Sequence, residues 1–401
     1  MSSSRRRRRL SPPPPQLPDD AIRDILLRTP PDDPRRLVRA SLCCKPWRRI
    51  LSDPIFCRTY RELHRGTQPL LGFIHNKGSA EKPHHCVLVP TTSFRPPGGT
   101  HRRNWIVLDS RHGRVLLYSF PPKPDIQFVV WDPITDEQCR LVLPDFTHGS
   151  WSATVLCATD GCDHVDCHGG PFLVFFAGLD RLAFASVYSS VSGDWSDTVF
   201  VDYPDAAMEQ YPGMEYMRFM DSGLGFTLLQ GKTVYFPCNM SNRILEYNIA
   251  EKRLSVIDTQ FHEYYQWHAV LVAVEDDGVL VFAGLEDSTL HMWSREAGQD
   301  GAVEWVQRRV IHLDMLVPRP GCCSTPDWDG MSGGLLVGSA DGVIFLSTHA
   351  GSYTVDITSG QVRKLTNMRF TDKIIPYTSF YTLDHSRGIK HHCLEHASSS
   401  T

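Results

Sequence analysis

The sequence predicts an α+β protein in two parts: a small all-α helical bundle, then an all-β propeller of about six blades. Three observations predict it. Residues 17–64 carry helix-start signals and apolar stripes at helical spacing. From about residue 70 the apolar runs become short and strand-like, bounded by Gly, Asp, Asn and Pro. A turn-forming hexapeptide recurs through that second part and outlasts the roughly 100 residues of a β-sandwich, the competing architecture.

The leader "MSSSRRRRRLSPPPPQ" (1–16) reads as a disordered basic and proline-rich tail. Arg5 to Arg9 fit a nuclear-import or polyanion patch and fit a solvated tail equally well. Pro18 suits a first helical position, and Asp19 and Asp20 fall where the helix dipole favours acid. Ile22, Ile25 and Leu26 then form one apolar stripe, which Pro30 and Pro31 end. Asp33 caps and Pro34 opens a second helix carrying Leu37, Val38 and Ser41. A third short turn carries Trp47 and Ile50. Asp53 and Pro54 repeat the cap-plus-proline start, and Phe56, Tyr60 and Leu63 follow at helical spacing.

The propeller is expected over 65–385, with a flexible tail over 386–401. Glycine-led strands repeat as "HGRVLLYSF" (112–120), "QGKTVYFP" (230–237), "DDGVLVFAG" (276–284) and "ADGVIFLS" (340–347). "GPFLVFFAG" (170–178) is a looser member, and "LGFIHN" (71–76) starts the series. Downstream of such strands stand "WDPITD" (131–136), "YSSVSG" (188–193), "YNIAEK" (247–252), "WSREAG" (293–298) and "VDITSG" (355–360). Each pairs an apolar or aromatic residue with Asp, Asn or Ser and a later turn former, as a hairpin between strands requires. The spacing wanders between roughly 40 and 65 residues, which suits four-stranded blades with variable loops. The late strand "PYTSFYTLD" (376–384) is placed to close the ring against the first blade.

Composition narrows the function classes. A formal charge of −4 with 21% charged residues leaves no overall footprint for nucleic acid or anionic lipid. No run approaches the roughly 18 apolar residues of a membrane span, and no apolar segment follows the N-terminal charges as in a secretory signal. Twelve scattered cysteines fit a reducing compartment. The expectation is a soluble protein of the cytoplasm and/or nucleus.

The helical segment carries Leu17-Pro18-x-Asp20-x-Ile22-x-x-Ile25-Leu26-x-Arg28-x-Pro30, then Leu37, Arg39-Ala40-Ser41, Cys44-Lys45-x-Trp47-Arg48 and Asp53-Pro54-x-Phe56. In order and spacing this resembles the F-box. It departs at Thr29, where the family usually has leucine, and in its proline-heavy "PPDDP" link. The remainder, through phrases such as "ATVLCATDGCDHVDCHGGPF" and "VYSSVSGDWSD", resembles the F-box-associated β-propellers of plant families, the grass type above all. The resemblance implies a non-catalytic substrate receptor of an SCF-type (Skp adaptor–cullin–F-box) ubiquitin ligase. The F-box would dock on a Skp-type adaptor, and through it on cullin and RING subunits, while the propeller holds an unknown protein target. Leu17, Pro18, Ile22, Ile25, Leu26, Pro30, Leu37 and Trp47 would serve the adaptor, with Trp47 and Phe56 holding the helices together or filling a pocket at the seam; apolar spacing alone fits a private core against the propeller as well. Two alternatives stand beside it: a propeller-fold glycan hydrolase with a helical accessory module, and an F-box scaffold that recruits nothing for degradation.

Little else in the sequence suggests catalysis. G-x-S-x-G, H-E-x-x-H and phosphate-loop motifs are absent, and no acidic pair is fixed by spacing. "SGGLLVGSADG" is glycine-rich but opens no helix, as a phosphate loop must. No cofactor is expected. "CATDGCDHVDCHGG" gathers Cys157, Cys162, His164, Cys167 and His168, yet it has no C-x2-C pair and Cys167 adjoins His168. On spacing it reads as a polar loop over the propeller rather than a zinc site. Vicinal Cys322 and Cys323 read as a loop. "HEYYQWH" (262–268) offers His262, Tyr264, Tyr265 and Trp267 as candidates for target recognition at a propeller mouth.

Overall fold

The computed structural model describes most residues between 17 and 382; the longest stretches outside the description are 203–227, 259–268 and 314–334. The leader, the tail, the His262–Trp267 patch and the Cys322–Cys323 pair therefore lie outside the described residues. Four helices open the chain: α1 (Asp19–Leu27), α2 (Arg35–Cys43), α3 (Lys45–Leu51) and α4 (Pro54–Leu63). Among the described residues beyond them the regular elements are strands, arranged in six sheets. Among the described residues no helix is long and apolar enough to cross a membrane.

The helix starts follow their local chemistry. Asp33 Oδ1 accepts the Arg35 N–H at 3.0 Å, and Asp53 Oδ1 accepts the Ile55 N–H at 3.2 Å, so both aspartates satisfy amides the first turn leaves open. Pro18 sits one position earlier than expected. It is the N-cap of α1, with extended ψ, and its carbonyl receives the Ile22 N–H at 3.1 Å.

Each blade is an antiparallel sheet. The sequence's glycine-led strands all occupy one place, the second strand from the inside: Leu70–Ser79, Arg114–Ser119, Phe172–Leu179, Thr233–Cys238, Leu280–Glu286 and Val343–Thr348. The leading glycine has a geometric cause. Arg111 pairs with Arg114 across a two-residue turn in which His112 and Gly113 have φ of 52° and 76°. Both central residues of such a hairpin turn need positive φ, which glycine adopts without strain. Ala340 likewise pairs with Val343, and Gly342 between them has φ 72°.

The recurring hexapeptides join third to fourth strands. In "WDPITD" the Asp132 carboxylate accepts the Ile134 N–H at 2.7 Å, and the Asp136 N–H returns to the Asp132 carbonyl at 2.8 Å. Asn248 Oδ1 accepts from Ala250 and Glu251, and Asp356 Oδ1 from Ser359. Each of four turns places a positive-φ residue at its end: Asp136, Gly193, Lys252 and Gly360. An Asx-type bond at the start and a left-handed residue at the end thus define the repeat. "WSREAG" differs: its first five residues belong to the strand Thr289–Ala297, whose partner is the long strand Val303–His312.

Neighbouring blades cover each other's faces. Asn76 binds both backbone groups of Val107 in the next blade, accepting its N–H at 2.8 Å and donating to its carbonyl at 3.2 Å. Trp195 and Trp305 each donate an indole N–H to a carbonyl at the end of the preceding blade, Val142 and Asp258 respectively. The ring closes against the first blade, but through a strand that ends at Thr378 rather than one running over 376–384. The strand Ile374–Thr378 pairs antiparallel with Leu70–Ser79 and supplies the innermost strand of the first blade. Closure leaves the outermost strand of each blade as its exposed edge and joins the ends of the chain's β region by hydrogen bonds.

Candidate functional site

The helical bundle has two sides with different fates. Ile22, Leu26, Leu37, Ile50, Leu51, Phe56, Cys57 and Tyr60 form a buried cluster, and Phe380 from beyond the ring-closing strand belongs to the same cluster. The Tyr60 and Phe380 rings meet edge-on, with centroids 6.3 Å apart. Arg61 donates to the Thr382 hydroxyl at 2.6 Å in a buried bond, Ser93 donates to Asp33 at 3.2 Å, and Arg65 pairs with Asp163. One side of the bundle is therefore seated on the propeller.

Elsewhere on the bundle, large aliphatic side chains are left uncovered. Leu17, Ile25, Leu42, Ile55 and Leu63 are between 55% and 77% exposed. Five exposed large aliphatics on so short a segment are an excess for a surface that meets only water. Pro18 and Pro30 are exposed as well. Ile22, Leu26 and Leu37, expected to face a partner, instead turn inward; the stripe at i, i+3, i+4 is split, with Ile25 out and its neighbours in. Trp47 is half-buried against the cluster, in keeping with its helix-holding role. Spacing could not have found Leu42 and Ile55, which stand off the apolar stripes of their helices. Their signal is the mismatch itself: large aliphatics on the polar faces of amphipathic helices.

Ion pairs at the rim fix helix directions. Arg23 reaches Asp53 at 2.9 Å, tying α1 to the start of α4. That bond, opposed by slight burial and helped by the Ile55 N–H, holds the Asp53 carboxyl below its ordinary value. Tyr60 donates its hydroxyl to the Thr29 carbonyl at 2.8 Å, so Thr29 contributes its backbone to the bundle's interior.

The Cys/His loop lies near this seat. Residues 158–171 connect the strands Ser150–Cys157 and Phe172–Leu179, whose end residues Cys157 and Phe172 pair directly. Thiol and imidazole donor atoms of Cys157, Cys162, His164 and Cys167 all lie within 4.8 Å of one another. His168 is not with them. Its Nδ1 binds the Asp132 carboxylate at 2.9 Å. Burial works to raise the Asp132 carboxyl, but His168 and the N–H groups of Ile134 and Thr135 outweigh it and hold the group low. The adjacency of Cys167 and His168, which counted against a metal on spacing, is resolved by the two side chains serving different partners.

Profiles of known families match both parts. The F-box domain matches residues 14–59, and the family described as F-box protein AT5G49610-like, β-propeller, matches residues 106–381. The chain belongs to the F-box proteins of this β-propeller family. Nothing among curated proteins matches it by sequence. Solved structures similar to this F-box protein share little sequence. The extracellular domain of the putative one component system BT4673 from B. thetaiotaomicron is 12% identical, with TM-score 0.37, over 75% of this chain and 36% of that one. A nidogen/laminin complex chain is 9% identical, with TM-score 0.38, over 76% and 98%. A functionally unknown protein from Desulfotomaculum acetoxidans is 10% identical, with TM-score 0.39, over 77% and 89%. The F-box protein spans little more than a third of the length of the first of these.

Proposed function

We propose that this F-box protein is a substrate-receptor subunit of an SCF-type ubiquitin ligase, working in the cytoplasm or nucleus. The observation that carries the reading is the set of exposed aliphatics Leu17, Ile25, Leu42, Ile55 and Leu63, on a bundle whose buried cluster takes Phe380 from beyond the ring-closing strand. A Skp-type adaptor covering them would remove them from water and link the chain to cullin and RING subunits, in the helix-in-groove manner. The propeller then presents its loops to a protein target. No catalytic group of its own is required, because holding a target lysine beside the loaded enzyme raises its effective concentration.

Co-expression with a Skp-type adaptor tests this. The full chain co-purifies with the adaptor at equal stoichiometry, and Ile25→Asp and Leu42→Asp each weaken the complex at least about tenfold. A full chain that stays folded and ignores the adaptor overturns the proposal.

A further inference from the structure

The loop 158–171 stands where three other blades use a minimal turn: Arg111 meets Arg114, Gln230 meets Thr233 and Ala340 meets Val343, each across two residues. A long connection without strand or helix of its own needs something to fix it. We propose that Cys157, Cys162, His164 and Cys167 form a structural Cys3His zinc site that fixes this loop.

The donor spacing is close to what a tetrahedral site requires. Zinc bonds of about 2.3 Å to sulfur and 2.0 Å to nitrogen put sulfurs about 3.8 Å apart, and sulfur and nitrogen about 3.5 Å apart. All four donors lie within 4.8 Å of one another, and Cys167 Sγ is already 3.6 Å from His164 Nδ1. A polynuclear iron–sulfur cluster would hold its protein ligands farther apart and prefers four thiolates. Three thiolates with one imidazole is a zinc donor set.

The surroundings suit thiolates. The Thr159 N–H points at Cys157 Sγ and the His164 N–H at Cys162 Sγ, both at 3.4 Å. Each sulfur thus takes an amide from two residues on, as anionic sulfur in a metal loop does. Gly161 and His164 have φ of 64° and 58°, the left-handed conformations that turn the chain back toward the centre. Three thiolates on Zn2+ leave one net negative charge, and a buried cation stands beside it. Arg114 is 3% exposed and donates to the carbonyls of Cys167 and Gly170 at 2.7 and 2.5 Å. Its other terminal nitrogen is buried without a hydrogen-bond partner among the described residues. The His112 ring stacks on His164 with centroids 3.9 Å apart, holding the imidazole plane.

The fixed loop would act as a staple. Arg65, just past α4, pairs with Asp163 between two of the ligands, while Arg114 belongs to the second blade and Cys157 to the third. Zinc would therefore set the seat of the bundle on the ring.

The full-length chain, purified under reducing conditions without chelator, is assayed for zinc by mass spectrometry and reconstituted with Co2+. One zinc per chain is expected, with a cobalt spectrum showing tetrahedral d–d bands and thiolate charge transfer. Cys162→Ser and His164→Ala lose the metal; Cys43→Ser, at an exposed thiol of the bundle, and His168→Gln keep it. A folded wild type that takes up neither Zn2+ nor Co2+, gives a non-tetrahedral cobalt spectrum, or loses zinc through His168→Gln instead of His164→Ala overturns the site. Should the ligand variants fail to fold, wild-type stoichiometry and spectrum decide alone. The readout is independent of adaptor binding.

Discussion

The bundle and the ring solve the same problem differently. Every blade has two faces, and a neighbour covers each, so the ring finishes itself once Ile374–Thr378 joins the first blade. The bundle cannot finish itself. Its helices are seven to ten residues long, its core borrows Phe380 from the ring, and it still leaves Leu17, Ile25, Leu42, Ile55 and Leu63 in water. A closed repeat satisfies its own surface, whereas a unit this small depends on others. Under the proposed function, the exposed aliphatics of the bundle are the residues an adaptor would cover.

The largest effect should come from reopening the ring. Deleting residues 374–401 removes the innermost strand of the first blade together with buried Tyr377 and Phe380, and calorimetry should show the main cooperative transition lost. A retained transition would mean the ring does not depend on its closing strand. Next, Phe380→Ala should cost about 3 kcal/mol. Because Phe380 belongs to the bundle's core, hydrogen exchange should rise in α1 and α4 first, while the blade hairpins stay protected. Uniform loosening would erase the distinction between the two regions.

A paired substitution sharpens the contrast inside one helix. Ile25→Asp should leave the melting temperature nearly unchanged and weaken adaptor binding by about 1.4 kcal/mol or more. Leu26→Asp should unfold the bundle, by burying an unpaired charge among Phe56, Tyr60 and Phe380. Equal behaviour of the two variants would deny that α1 has an inner and an outer side.

The smallest effect concerns Asp53. Its folded carboxyl is held below the ordinary value of 3.8 by Arg23, so its contribution is complete above that value and is lost as pH falls through the lowered one. Asp53→Ala should cost about 1 kcal/mol near neutrality. The gap should close in acid, where wild type and variant converge in a pH series of denaturant melts.

Much of this was legible beforehand. Asp53-Pro54 marked a helix start because one carboxylate and one ring supply what a first turn lacks, whatever the surroundings. The glycine-led strands and Asp/Asn/Ser hexapeptides were legible because two-residue hairpins and Asx turns are settled within a few residues. Local spacing failed where the outcome depended on distant chain. Spacing could not tell a partner from a core for Ile22, Leu26 and Leu37, which the resemblance assigned to the adaptor and which join a buried cluster with Phe380. It also set Cys167 against His168, because Asp132, the residue that draws His168 away, is 36 positions upstream.

The order of elements, the turn chemistry and the two-part division follow from the sequence by itself, since each depends on backbone preferences and periodicities spanning a few residues. Only the tertiary structure decided which side of each helix stays in water, which strand completes the first blade, and which donors of the Cys/His loop come together. The first two outcomes depend on residues far apart in the chain and the third on the fold of one long loop, and no local pattern encodes what a side chain will face once the ring has closed.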